Sequence, residues 1–440
     1  MRNIIMIATD QQQMQAMSCA DPSYRTPNLD RLARMGVRFT GAISTSAQCS
    51  PSRATWMTGK YPHQVGVNNI GHMLDPNEWG IAKEFNAHGF ETSYFGKWHL
   101  GLTPADHDFQ ITNYRVDGLE LDGANEDPRF HSYKDSVTTI QAINYLADYQ
   151  SEKPFFMTVC WYMPHPNAPE DYPFEYLPQD VAAFSKELMP MPESFYKDDL
   201  STKPAFQRER ATKNESVLTE EIVKRDAWRY RAMLSLMDRN LGRLLNQLES
   251  KGLKDNTVIL FTSDHGDMQG AHRLRLKGVI PYKELYNVPM ILYVPGMKPP
   301  RKVVPDLFST AAVPGTLLEA AGLPVSEHFE GGSFLHLLQR VERPSEEIVF
   351  FEHYKAYWGY HPFRGIQTAK WKYVFYYEEG FEEMYDLVED PDENVNIADR
   401  LDVDEIRREL KNAVDRWWEE TGALSREPII DENNPWGKDI

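Results

Sequence analysis

Asn3-Ile4-Ile5-Met6-Ile7-Ala8-Thr9-Asp10-Gln11 sets a continuous apolar run directly ahead of an acid and an amide. A run this short and unbroken suits a strand buried on both faces, as in a parallel sheet, better than a helix. The same pattern recurs along the chain. Residues 90–95 lead to Gly96-Lys97-Trp98-His99, residues 154–161 lead to Pro164-His165, and residues 257–262 lead to Ser263-Asp264-His265. Between these runs the apolar spacing turns helical, over 26–35, 78–88, 132–149, 220–249 and 309–321. Most of these stretches close on a glycine, a common helix stop. Strands alternating with helices predict an α/β fold: a large, mostly parallel, doubly wound sheet flanked by helices.

Past residue 360 the texture changes. Residues 371–377 and 383–387 read as an antiparallel hairpin, and 404–420 as a closing helix. The expected organisation is a catalytic α/β domain over 1–360 and a small C-terminal antiparallel sheet plus helix over 361–440. Residues 102–131 read as loop. Residues 166–215, dense in proline and acids, read as a long insertion, and such loops usually carry function.

Composition narrows the function classes. The chain has 440 residues, with 41% apolar and 12% aromatic, enough for a sizeable core. Its net charge of −18 argues against general nucleic-acid binding. Cys19, Cys49 and Cys160 make no disulfide framework and no zinc spacing. No run reaches membrane-spanning length, and residues 4–8 are too short for a leader's apolar core, so no membrane association and a cytoplasmic location are expected.

In open α/β sheets, ligands sit beyond the carboxyl ends of the strands. Here those ends carry Asp10-Gln11, Lys97 and His99, His165, and Asp264-His265. A further stretch, Gln48-Cys49-Ser50-Pro51-Ser52-Arg53 through Thr58-Gly59-Lys60, follows the apolar residues near 37–39 and reads as a helix start. Backbone N–H groups and Arg53 would face whatever Cys49 holds, a setting that suits an anion. Asp10, Gln11, Asp264 and His265 offer carboxylate, amide and imidazole donors for a hard divalent ion. With that ion, Arg53, Lys97, His99, His165 and Lys277 form a pocket for a tetrahedral oxyanion.

These motifs resemble the formylglycine-dependent sulfatase family of the alkaline-phosphatase-like fold. The most specific element is Cys49-Ser50-Pro51-Ser52-Arg53 through Thr58-Gly59. It is accompanied in order by Thr26-Pro27-Asn28-Leu29-Asp30, Gly96-Lys97-Trp98-His99, Pro164-His165, Ser263-Asp264-His265-Gly266 and Tyr385-Asp386-Leu387. The resemblance implies that a maturing enzyme oxidises Cys49 to Cα-formylglycine, whose hydrate attacks sulfur. It implies metal ligation by Asp10, Gln11, Cys49, Asp264 and His265, with calcium as the family default. Arg53 and Lys97 would hold the diol and the developing charge, and Lys277 the sulfate. His165 would protonate the leaving alcohol, and His99 would take the proton that expels sulfate. Many relatives have aspartate where Gln11 stands and asparagine where His265 stands. The Asp-Gln and Asp-His pairs occur in choline-sulfatase-like and phosphonate-monoester-hydrolase-like branches. Manganese or magnesium therefore stand beside calcium, and phosphonate monoester or phosphodiester hydrolysis is the alternative activity.

The expected substrate is a small organic sulfate. Tyr357, Trp358, Tyr360, His361 and Arg364 suit a sugar ring bearing acidic groups, which favours a carbohydrate sulfate. Specificity is expected from 102–131, 166–215 and 354–364. Oligomeric state is not legible.

Overall fold

The computed structural model describes residues 1–115, 134–166, 178–212, 218–340, 348–356, 359–422 and 425–430. An eight-stranded sheet forms its centre. Its strands are β1 (Asn3–Asp10), β2 (Val37–Ile43), β3 (Glu91–Lys97), β4 (Ile111–Arg115), β5 (Phe155–Pro164), β6 (Thr257–Ser263), β7 (Met290–Tyr293) and β8 (Val303–Ser309). They lie in the order β4-β3-β5-β1-β6-β7-β2-β8. All neighbours run parallel except β7, which is antiparallel to both β6 and β2.

The apolar run of β1 is continuous because both faces of the sheet are covered. Ile4, Met6 and Ala8 face one core, with Phe156, Leu260, Trp56 and the helix α5 (Val313–Ala321). Ile5 and Ile7 face the other, with Met157, Phe261 and the helices α1 (Pro27–Met35), α3 (Lys134–Asp148) and α4 (Glu220–Ser250). Burying every residue of β1 removes its whole apolar area from water, at about 25 cal/mol per Å².

A second, four-stranded antiparallel sheet holds β9 (Val349–Ala356), β10 (Gly359–Gln367), β11 (Trp371–Tyr376) and β12 (Phe381–Asp386). The helix α6 (Asp404–Gly422) packs beside it. This sheet opens at Val349, ahead of the expected boundary at 361. Residues 349–356 and 359–367 form strands because Phe351, Phe363, Val374 and Tyr376 share an apolar cluster with Ile43, Tyr282 and Tyr286 of the large domain.

Two loop expectations also change. Ile111–Arg115 adds a parallel edge strand beside β3, with Ser93 paired to Ile111. The 166–215 insertion contains helices at Pro178–Ala182, Ser194–Lys197 and Ala205–Thr212. The first is tied down by the Asp180–Arg239 ion pair at 2.5 Å, and the third by buried Gln207 and Ala211. Residues 116–133 and 167–177, and Tyr357 with Trp358, lie outside the described residues. Among the described residues no helix is long and apolar enough to cross a membrane.

Candidate active site

Parallel pairing brings the polar strand ends to one edge. β3, β5, β1 and β6 are consecutive neighbours, with Gly96 opposite Cys160, Asp10 opposite Pro164, and Thr9 opposite Ser263. Lys97, His165, Asp10 and Asp264 therefore emerge side by side. Gly96 permits the close spacing, since a Cβ there would meet the Cys160 carbonyl oxygen at 1.9 Å. The helix α2 (Cys49–Thr58) follows β2 on the same edge, with its first residue buried.

Two buried carboxylates organise the site. Asp264 accepts from Arg53 Nε at 3.0 Å and lies 2.9 Å from its Nη2, while its Oδ1 accepts the backbone N–H of Gln11 at 3.0 Å and of His265 at 2.9 Å. Its carbonyl accepts the hydroxyls of Ser44 and Ser52, each at 2.7 Å. One residue thus ties the end of β6 to β1 and α2. Asp10 Oδ2 lies 2.5 Å from Lys97 Nζ and 3.5 Å from Arg53 Nη2. Burial alone would raise the Asp10 carboxyl, but Lys97, His165, Lys277 and Arg53 together hold it well below the usual range. For Arg53 burial opposes the charge, and Asp264, Cys160, Asp10 and Tyr94 together more than offset it.

Cys49 Sγ sits at the focus. Lys277 Nζ is 3.0 Å away, His265 Nε2 3.3 Å and Asp10 Oδ1 3.7 Å. Lys277, which by itself would read as a surface lysine, is only 2% exposed. It also donates to Gln11 Oε1 at 2.9 Å, while Gln11 Nε2 donates to Asp267 Oδ2 at 2.5 Å. Lysine can only donate and an ionised carboxylate only accept, so these two partners fix which way the Gln11 amide points. Gln11 itself stands at φ 68°, where the chain turns off β1.

The donor set fits a hard divalent ion. Single ligand atoms of Asp10, Cys49, Asp264 and His265 all lie within 4.8 Å of one another. His265 Nδ1 faces the Gly266 carbonyl at 2.8 Å, so it carries the proton and leaves the Nε2 lone pair facing the two Oδ1 atoms, at 3.8 and 3.7 Å. Burial pushes this imidazole down, against the pull of Asp264, and keeps it a neutral donor. The Oδ2 oxygens face the cations and the Oδ1 oxygens face the cluster.

His165 lies beside this core. Tyr162 bridges Lys97 and His165, with Lys97 Nζ 4.6 Å from its ring centre and the His165 ring 4.9 Å away. His165 Nδ1 lies 2.9 Å from the Pro166 carbonyl, which can only accept, so Nδ1 carries the proton. His99 is buried two residues beyond Lys97, at φ 62°.

The sulfatase family profile matches residues 2–323. The chain belongs to the sulfatase family. The profile for the C-terminal region of N-sulphoglucosamine sulphohydrolase matches residues 270–420 of this sulfatase. N-acetylglucosamine-6-O-sulfatase of Bacteroides thetaiotaomicron is 27% identical, over 93% of this chain and 84% of that protein. A solved structure of BT4656 with its substrate D-glucosamine-2-N,6-O-disulfate superposes with a TM-score of 0.80 at 23% identity, covering 98% of this chain and 100% of that one. Phosphonate monoester hydrolase of Agrobacterium radiobacter superposes at 0.77 and 23% identity, covering 96% of each chain. This sulfatase is therefore a hydrolase of sulfate esters in the formylglycine-dependent group, and its fold is alkaline-phosphatase-like.

Several residues that shape the site escaped the sequence reading. Asp267 orients Gln11. Tyr230 of α4 donates to the Gln11 carbonyl at 2.8 Å and accepts from Gln13 N–H at 2.9 Å. The Tyr94 hydroxyl donates to the Lys97 carbonyl, which also accepts from Arg53 Nη1 at 3.0 Å. Only Asp267 carried a signal, two residues past His265. The tyrosines are ordinary core residues in sequence.

Proposed function

We propose that this sulfatase cleaves a carbohydrate sulfate ester, with Cys49 working as Cα-formylglycine beside a divalent ion. The observation that carries this reading is the position of Cys49 Sγ, held by Lys277, His265 and Asp10 where the strand ends converge. A lasting thiolate would gain little there, because sulfate transfer to it leaves an intermediate with no group to expel sulfate. A hydrated aldehyde has such a group, its second hydroxyl.

Asp10, Gln11, Asp264 and His265, with the modified Cys49, would hold the ion. Bound there, the ion polarises sulfate oxygens as a Lewis acid. Calcium is the first candidate, and manganese or magnesium suit the same donors. Arg53 and Lys97, fixed by Asp264 and Asp10, hold the diol and the charge that grows on it. Lys277 grips a sulfate oxygen. As one diol oxygen bonds to sulfur and the ester oxygen leaves, His165 gives that oxygen a proton from Nε2. His99 then takes the proton of the second hydroxyl, the carbon–oxygen bond to sulfate breaks, and the aldehyde returns. Maturation requires an oxidising partner enzyme acting on the Cys49 stretch.

The carbohydrate preference draws on the sugar sulfates named for the two relatives above. Phosphonate monoester hydrolysis is the second reading, supported by the fold shared with the Agrobacterium enzyme. Chelation with EDTA is expected to lower sulfate release by more than about 10³-fold, and added Ca²⁺, Mn²⁺ or Mg²⁺ to restore it. Turnover unaffected by chelation contradicts the metal assignment. Turnover of phenyl phosphonate monoesters exceeding that of sulfate esters selects the second reading.

A further inference from the structure

His353 is a buried imidazole that the chemistry above does not use. It is 1% exposed, and no side chain among the described residues meets either ring nitrogen at hydrogen-bond distance, while the Lys355 backbone approaches it. A buried polar group without a partner is costly and calls for an explanation. His353 lies on β9, opposite Phe363 of β10, and the two rings stack at 5.9 Å. Residues two apart on a strand share a face. His353 therefore lies on the face of Phe351, whose ring is 4.6 Å from Tyr286 and which clusters with Ala47 and Met268. Ala47 stands two residues before Cys49, and Met268 three after His265. The next residue back, Glu352, anchors β9 to the segment entering α2 by donating its N–H to the Thr45 carbonyl at 2.9 Å.

Charge supports the same placement. Burial first, with the Lys277 charge and the His265 ring adding to it against a Lys355 backbone hydrogen bond, brings the His353 imidazole down to about 3. A neutral imidazole donates from one nitrogen and accepts at the other. That pairing matches a hydroxyl, which also does both.

Resting on the sulfatase reading, we propose that His353 binds a free hydroxyl adjacent to the sulfate ester, so that the preferred substrates are monosulfates of polyhydroxylated alcohols such as pyranosides. Its position on the second sheet gives that sheet a direct part in substrate choice.

Wild type, His353→Ala and His353→Asn are compared on methyl pyranoside monosulfates esterified at each ring position. Deoxy analogues lacking the neighbouring hydroxyl and 4-nitrophenyl sulfate complete the set. On the best pyranoside, His353→Ala is expected to lose about 10- to 100-fold in kcat/KM, chiefly through KM. The loss on 4-nitrophenyl sulfate is smaller by at least about tenfold, and asparagine, which also donates and accepts, recovers part of the difference. The deoxy analogue brings wild type down to the level of His353→Ala. Equal losses on pyranoside and aryl sulfates mark a structural role and overturn the proposal. Should His353→Ala fail to fold, undiminished wild-type turnover of the deoxy analogue overturns it as well. Cleavage of 4-nitrophenyl sulfate but of no pyranoside sulfate overturns this proposal and leaves the sulfatase reading standing. Mature enzyme that cleaves neither class removes both.

Discussion

Replacing Cys49 with alanine is expected to lower kcat by more than about 10⁴-fold while leaving the fold and substrate binding in place. The side chain lost is small, and alanine is the best helix former for the first residue of α2. The groups that hold sulfate stay where they are, because Lys97 is braced by Asp10 and Lys277 by Gln11. The variant should bind substrate by calorimetry at close to the wild-type affinity and release no sulfate. A kcat within tenfold of wild type would remove Cys49 from the chemistry.

Asp264→Asn should damage stability and turnover together. The carboxylate faces Arg53 at 2.9 Å, and the guanidinium is 1% exposed with Asp10, at 3.5 Å, as its one other carboxylate among the described residues. Neutralising Asp264 leaves a buried charge half compensated, at a cost of about 3–5 kcal/mol. It also removes one of two carboxylates from the metal cluster. Urea unfolding should show a lower midpoint at unchanged slope, and kcat should fall more than about 10³-fold and respond only to much higher divalent ion. A variant with wild-type stability and metal response contradicts the assignment of Asp264 to both tasks.

Much of the site was legible because strand ends are hard to disguise. An apolar run ending in Asp10, Lys97, His165 or Asp264 announces both a buried strand and the residue it aims, and parallel pairing does the rest. The Cys49 stretch was legible for the same reason, since a polar first turn with no apolar stripe has no packing motive. Edge and interface strands were not legible. Ile111–Arg115 borders polar sequence and owes its conformation to pairing with β3. Val349–Ala356 becomes a strand by packing Phe351 on Tyr286, a contact between distant parts of the chain that no local pattern encodes. The helices within 166–215 are held by tertiary contacts such as Asp180 with Arg239. Lys277 illustrates the converse limit. Its sequence reads as a surface lysine, and only the fold carries it to within 3.0 Å of Cys49 Sγ.

The central claim is that Cys49 works as an aldehyde and not as a thiol, and the mass of the peptide Phe39–Arg53 from active enzyme tests it most directly. Conversion to formylglycine lowers that mass by about 18 Da relative to the unmodified sequence. The account predicts that the converted fraction tracks specific activity across preparations made with and without the maturing enzyme. Full sulfatase activity from protein whose Cys49 peptide retains its thiol mass would contradict it.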